Sequence, residues 1–236
     1  MIIIILVYGL VIGSFLNVCI YRIPHGMSIV FPHSFCPNCQ SRIKWYDLFP
    51  VISYLILGGR CRNCRTFIGI QYPLVEIFTA GIGVGLYFRF GLNAIFLKYI
   101  ILFCLLIVIA GIDLQHRVIP NILSISGMII GLLWAVPYGG TDIFHAVLGM
   151  AVGGLILLPL AYFYPQGMGM GDVKLLAMIG SFVGAKVVLA ALFCGSALGT
   201  VIGLILIGSK VITRKTPIPF GPFLAVGALV SVIILN

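Results

Sequence analysis

The chain has 236 residues, of which 61% are hydrophobic and only 8% charged, and its mean hydropathy is +1.23. Soluble domains carry roughly 25% charged residues, so this composition excludes a water-soluble globule, and the apolar content excludes disorder. Fourteen Lys and Arg against five Asp and Glu give a net charge of +9. A nucleic-acid binder would collect that excess in one basic patch; here it sits in loops between apolar runs, as in proteins oriented by basic loops in a membrane, so no nucleic-acid partner is expected.

The N-terminal run MIIIILVYGLVIGSFLNVCIYRIP lacks a basic n-region and a small-residue cleavage site, and reads as a retained transmembrane helix. Residues 21–72 break the apolar pattern: they hold four of the seven cysteines and six of the 14 basic residues, and read as a small soluble insert. The remaining chain, at about 20 residues per span plus short loops, predicts roughly eight helices, over 2–20, 73–88, 95–112, 121–137, 143–162, 173–185, 187–208 and 217–235. The sixth is short and rich in glycine. Turn signals at 90–93, 137–140 and 165–167 separate spans, and no convincing internal repeat is visible. The expected architecture is an all-α polytopic membrane protein of about eight transmembrane helices, with a small cytoplasmic zinc-knuckle domain after the first. It divides into an N-terminal region, 1–94, and a membrane domain, 95–236.

Eight spans with the N-terminus outside put eleven basic residues in inner loops: Arg22, Arg42, Lys44, Arg60, Arg62, Arg65, Arg117, Lys174, Lys210, Arg214 and Lys215. Arg89, Lys98 and Lys186 fall outside. That bias places the insert in the cytoplasm.

The insert carries Cys36-Pro-Asn-Cys39 and Cys61-Arg-Asn-Cys64, two CxxC knuckles about twenty residues apart. The spacing suits a tetrahedral structural zinc site, which would stabilise a domain too small for a large core. Two disulfides are the alternative, and the reducing cytoplasm counts against them. Four thiolates fill the zinc shell, so His33 is surplus and the site holds structure without doing chemistry. Cys19, Cys104 and Cys194 lie in apolar runs and read as small core hydrophobes.

Only five acids exist, so each can be weighed. Asp47, in the insert, reads as solvated or locally paired. Asp142 follows Gly-Gly and fits a turn or N-cap. Glu76, near the start of the second span, reads as a cap of that helix or as a substrate contact. Asp113 and Asp172 differ: the first ends the apolar run before DLQHRVIPN, the second follows QGMGMG and opens the next run, and span parity sets both at the cytoplasmic membrane edge. An ionisable residue at membrane depth is a functional hypothesis by default. Two carboxyls brought together titrate as a unit, one ionised and one protonated. Such a pair suits aspartic-protease chemistry, the ionised member taking a proton from water while the other polarises the scissile carbonyl. The alternative is separate pairing: Asp113 with Arg117 at i+4, and Asp172 with Lys174 or a helix N-terminus. Gly167, Gly169 and Gly171 allow positive φ and close approach of a substrate strand, or simply form a tight turn.

Gly169-Met-Gly171-Asp172 matches the GxGD motif of membrane aspartic proteases. Further stretches agree, in order: GSFLNVCIYRIP at 13–24, the paired knuckles, SYLILGGRCRNC at 53–64, QYPLVE at 71–76, DLQHRVIPN at 113–121 and PFGPFLA at 219–225. Together they resemble the bacterial prepilin peptidases (type 4 prepilin leader peptidases) over nearly the whole chain. The resemblance implies a multi-pass enzyme of the bacterial inner membrane that removes, on the cytoplasmic side and after a glycine, the basic leader of type IV prepilin or pseudopilin precursors. It makes Asp113 and Asp172 the catalytic pair, with Gly169, Gly171, Lys174 and Glu76 in supporting or substrate-binding positions and Cys36, Cys39, Cys61 and Cys64 as zinc ligands. It also implies N-methylation of the new N-terminus with S-adenosylmethionine as donor, an activity associated with the N-terminal region. No GxGxG-type fingerprint for that donor is present. The precursor's apolar helix would lie in the bilayer, its leader charge held by anionic lipid or by a local acid.

Two other readings compete. A non-enzymatic membrane scaffold with a zinc-binding recruitment domain needs no aspartate pair. A proton-coupled carrier would hold Asp113 and Asp172 at the bilayer midplane, not at its inner edge.

Overall fold

The structure, a computed structural model, describes residues 1–135, 143–164, 168–213 and 216–235. The expected turns at 137–140 and 165–167, with Asp142, Gly167, Arg214 and Lys215, lie outside the described residues. Among the described residues there are eight α-helices, one 3-10 turn and no extended strand. Internal contacts divide the chain into two compact units, Met1–Gly91 and Leu92–Asn236.

In the first unit, α1 (Ile2–Arg22) and α3 (Gln71–Phe90) are long apolar helices, and the insert between them holds the 3-10 turn Trp45–Asp47 and the short α2 (Ile52–Ile56). α1 and α3 run antiparallel in close contact. A Cβ on Gly9 would stand 2.6 Å from Ala80 Cα, and one on Gly13 2.6 Å from Glu76 Cα. Two glycines one turn apart let the backbones meet where lipid offers no hydrophobic drive for association.

The second unit contains α4 (Ala94–His116), α5 (Asn121–Ala135), α6 (Ile143–Phe163), α7 (Met170–Gly208) and α8 (Gly221–Leu235). The Asn93 side chain caps α4 by accepting the Phe96 amide at 2.9 Å. Arg117, at φ 54° in the left-handed region, ends it.

α7 is not a straight rod. Gly184 has φ 77° and ψ 175°, a non-helical conformation inside the element. A 39-residue rod would run about 58 Å. Instead both of its ends lie beside the start of α8. Asp172 feels the charge of Asp113, whose carboxylate is bonded to Gly221, and a Cβ on Gly203 would meet Ile218 at 3.4 Å. The chain therefore folds back at Gly184. The first half packs antiparallel to α6, where Gly149 faces Gly180 and Gly153 faces Leu176. The second half packs antiparallel to α8, where Gly195 faces Leu224 and Gly227 faces Ala191. The sixth and seventh expected spans are these two halves.

The first half, 170–183, is about 21 Å long at 1.5 Å per residue, short for a bilayer of about 30 Å. It need not meet lipid, since every residue from Leu175 to Gly184 is buried. Around this central helix the outer faces are apolar, with Leu133, Phe144, Phe163, Phe193 and Leu204 exposed. Five helices are long and apolar enough to cross a membrane, and α5 and α8 are shorter apolar helices. With α7 taken as a hairpin, the described elements offer eight apolar helices, as hydropathy predicts.

Candidate active site and metal centre

Asp113 and Asp172 come from chain segments 59 residues apart and meet at one end of the second unit. Asp113 lies in the last turn of α4 and is 6% exposed. Its Oδ2 accepts the amide of Gly221, the first residue of α8, at 2.9 Å. A Cβ on Gly221 would stand 2.8 Å from the same oxygen, so only glycine leaves room for this carboxylate. Asp172 lies in the first turn of α7, half-buried, and its Oδ2 accepts the Gly169 amide at 3.3 Å. The two carboxylates are within electrostatic reach of each other.

The two stretches around the aspartates interlock. Lys174, the fifth residue of α7, donates to Asn121 Oδ1 at 2.8 Å, tying the start of α7 to the first residue of α5. A Cβ on Gly171 would meet Ile119 Cβ at 2.9 Å. DLQHRVIPN and GMGDVK thus form one clasp, with each aspartate at its inner end.

Several sequence expectations change here. Among the described residues the only salt bridge joins Arg62 and Asp47, so neither Asp113 with Arg117 nor Asp172 with Lys174 is an ion pair. Arg117 instead gives its backbone amide to the Asp113 carbonyl at 2.9 Å. The helix N-terminus reading of Asp172 holds in part, through the Gly169 amide. Gly169 has φ −82° and Gly171 is absent from the positive-φ residues, so neither uses left-handed backbone; Gly171 is needed for its close approach to Ile119. Glu76 does not cap its own helix, whose N-cap is Ile70. It sits 6% exposed inside α3 and accepts the amide of Val51, the N-cap of α2, at 2.7 Å, so it anchors the insert. Gly221, Asn121 and Ile119 were not singled out by sequence, although they lie in the PFGPFLA and DLQHRVIPN stretches.

In the insert, Cys36, Cys39, Cys61 and Cys64 bring their sulfurs within 4.8 Å of one another, and none forms a disulfide. Cys36 Sγ and Cys64 Sγ are 3.8 Å apart. A zinc tetrahedron with bonds of ~2.3 Å has sulfur–sulfur edges of about 3.8 Å, so the four donors fit the metal. His33 is outside the cluster. Hydrogen bonds from Thr66 pull the Cys64 thiol down to about 5, and Ser41 holds Cys39 below the usual thiol range, while burial pushes Cys36 up to about 11.

The knuckles repeat each other at an offset of 25 residues. The amides of Cys36 and Cys61 donate to Ser41 O and Thr66 O, those of Gln40 and Arg65 to Cys36 O and Cys61 O, and the bridges Phe35–Arg42 and Arg60–Phe67 close each loop. Gln40 and Arg65 share φ values of 58° and 59°. The repeat is faint in sequence because, outside Cys-x-Asn-Cys, only Ile43 and Ile68 and the hydroxyl pair Ser41 and Thr66 correspond. Asp47 is locally paired, its carboxylate gripping Arg62 at 2.6 and 2.9 Å, which holds it below the usual carboxylate range.

Comparison with known proteins follows the same division. The bacterial peptidase A24 N-terminal domain family matches residues 7–90, and the type IV leader peptidase family matches residues 100–204. The prepilin leader peptidase/N-methyltransferase of Xanthomonas campestris is 36% identical over 250 residues, covering 94% of this chain and 87% of that protein. The chain belongs to the type IV leader peptidase family. A Bacillus subtilis protein of the same name is 32% identical over 229 residues, covering 97% of this chain and 92% of its own length. One from Myxococcus xanthus is 37% identical over 206 residues, covering 85% of this chain but only 62% of the relative. No solved structure matches the chain. Family and apolar helices together make it a multi-pass membrane protein, in agreement with the resemblance drawn from the sequence.

Proposed function

We propose that the chain is a membrane aspartic endopeptidase that removes the leader from type IV prepilin-like precursors, and that it N-methylates the new terminus. Asp113 and Asp172 are the acid–base pair. The observation that carries this is the convergence of two aspartates from distant helices at one end of the bundle, one held by a helix N-terminal amide and the other by its own helix start. A separate local role for each would not require them to come within electrostatic reach of one another.

The residues set up hydrolysis as follows. The Gly221 amide fixes one Asp113 oxygen, and the Gly169 amide fixes one Asp172 oxygen, so each carboxyl keeps its other oxygen for reaction. Two neighbouring carboxyls within electrostatic reach titrate as a unit and hold one proton between them. The ionised group takes a proton from the attacking water; the protonated group donates to the carbonyl oxygen as negative charge grows there. The extended backbone at Gly169 lies beside Asp172, in the position where a substrate strand would run. The bias of basic loops supports a cytoplasmic position for this end of the bundle, where a pilin-like leader would leave the bilayer.

Cys36, Cys39, Cys61 and Cys64 hold zinc as a closed structural site. A bound methyl donor, S-adenosylmethionine, supplies a methyl group on a sulfonium. The scaffold reading leaves the Asp113–Gly221 contact and the family match without a purpose.

The test is incubation of the purified protein with a model precursor, with and without methyl donor, followed by intact-mass analysis. Asp113→Asn and Asp172→Asn should each slow cleavage by at least ~10²-fold, the scale of general acid–base catalysis. Undiminished processing by either variant would overturn the assignment.

A further inference from the structure

The unit Met1–Gly91 contains a cavity of about 430 Å³ that the peptidase chemistry does not use. Small-molecule sites occupy about 300–1,000 Å³ and are mostly apolar with a few convergent polar groups. One wall is membrane helix: Asn17 and Tyr21 from α1, Tyr72 and Glu76 from α3. The opposite wall is the knuckle domain, including Cys36 and Cys61.

Asn17 is 4% exposed, and its amide nitrogen donates to Tyr72 O at 3.0 Å and Gly13 O at 3.3 Å. Its Oδ1 is buried with no hydrogen-bond partner. An orphaned buried acceptor is costly, and in a cavity wall it asks for a ligand that donates. Glu76, on the same wall, accepts from the Val51 amide through Oε2 and from the Ser14 side chain, so it brings a buried carboxylate to the cavity. The Arg22 guanidinium is already spent on the carbonyls of Ser28, Pro32 and His33, and Arg62 on Asp47. The membrane-helix wall is therefore acceptor-bearing and aromatic, while Arg42 and Lys44 also line the cavity and neither forms a salt bridge among the described residues.

We infer that this cavity is the methyl-donor site, with Asn17 and Glu76 receiving the N–H donors of S-adenosylmethionine and the tyrosines facing its purine and sulfonium. The inference rests on the methyl-transfer reading above. The chemistry fits that ligand group by group. Its ammonium and exocyclic amine are donors that match two acceptors, its purine stacks on aromatic rings, its sulfonium is a cation that aromatic faces attract, and its carboxylate suits Arg42 or Lys44. A polyphosphate nucleotide would bring its charge against Glu76. The arrangement also gives the knuckles a purpose: four metal-linked sulfurs would set one wall of the donor site.

The test uses the full-length protein in detergent and its binding of S-adenosylhomocysteine, measured by calorimetry. Wild type should bind saturably. Asn17→Leu, which keeps the volume and removes the acceptor, and Val18→Phe, which fills the cavity, should each weaken binding at least tenfold. Radiolabelled S-adenosylmethionine crosslinked to wild type by ultraviolet light, then mapped by peptide mass, should mark segments within 14–76. This decides the matter should a variant fail to fold. Binding unchanged in both variants, or crosslinks confined to Leu92–Asn236, would overturn the site while leaving methyl transfer intact. A wild-type protein that cleaves precursor but neither binds the homocysteine analogue nor methylates would overturn both. Displacement of the analogue by apolar peptide or lipid alone would assign the cavity to those ligands instead.

Discussion

At Gly221 the space for the Asp113 carboxylate, proposed as one of the acid–base pair, is set by the lack of one carbon atom. The glycine gives its amide to Asp113 and leaves room for the oxygen it bonds. Gly221→Ala would push a methyl group to 2.8 Å from Asp113 Oδ2, so the carboxylate must move. Misplacing a reacting group by about 1 Å can cost about 10²-fold in rate. The variant is expected to cleave a model precursor about ten- to a hundredfold more slowly in kcat, with KM little changed. Gly85→Ala, where nothing lies within 4 Å, is expected to cleave like wild type. The aspartates themselves are legible in the sequence, because five acids in so apolar a chain leave few candidates. Gly221 is not, because its partner is 108 residues away and a glycine among prolines reads equally well as a helix entry. Glu76 misleads for a related reason: its place near a helix start suggests a local cap, whereas its partner lies in the insert.

At the level of elements, two devices shape the chain, a backbone reversal and a sulfur cluster. Gly184 occupies φ 77°, ψ 175°, a region essentially confined to glycine. Gly184→Ala should cost about 1–3 kcal/mol, read as a lower midpoint in thermal unfolding of the solubilised protein. Hydropathy divides the run into two spans near this point, because Gly-rich sequence interrupts it, but it carries no sign of the reversal's sharpness. The knuckles behave differently. Their metal set is legible from cysteine spacing, since two CxxC pairs suit a tetrahedral zinc site, and the four sulfurs do come together. One zinc per chain is the expected content of purified protein by elemental analysis. Cys36→Ser with Cys61→Ser should reduce it to near zero and open the insert to proteolysis, because metal-binding free energy is folding free energy in so small a domain. Leader cleavage should fall less than methylation. Equal loss of both would argue that the insert supports the whole molecule and not the methyl-transfer unit alone.

For the molecule as a whole, folding α7 back on itself decides which helix ends share a side of the membrane. Asp113, Asn121, Asp172 and Gly221 are joined by direct contacts or by charge, and Gly203 packs beside Ile218 near the same end. The reversal at Gly184 is therefore at the opposite end, and Lys186, exposed just beyond it, is separated from Lys210 by the length of a helix. At 1.5 Å per residue those 24 residues span about 36 Å, enough to cross the hydrocarbon core. The proposed orientation, which rests on the bias of basic residues, puts Lys210 in the cytoplasm and Lys186 outside. A membrane-impermeant amine reagent applied to intact spheroplasts should label Lys186 and spare Lys210, and permeabilisation should add Lys210, both read by peptide mass. A single long rod would bury Lys186 in the bilayer and leave it unlabelled under both conditions. Labelling of Lys210 alone before permeabilisation would keep the hairpin and invert its orientation, moving Asp113 and Asp172 to the outer side and removing the cytoplasmic leader as their substrate. Only the pattern with Lys186 outside is compatible with both the hairpin and the proposed cleavage.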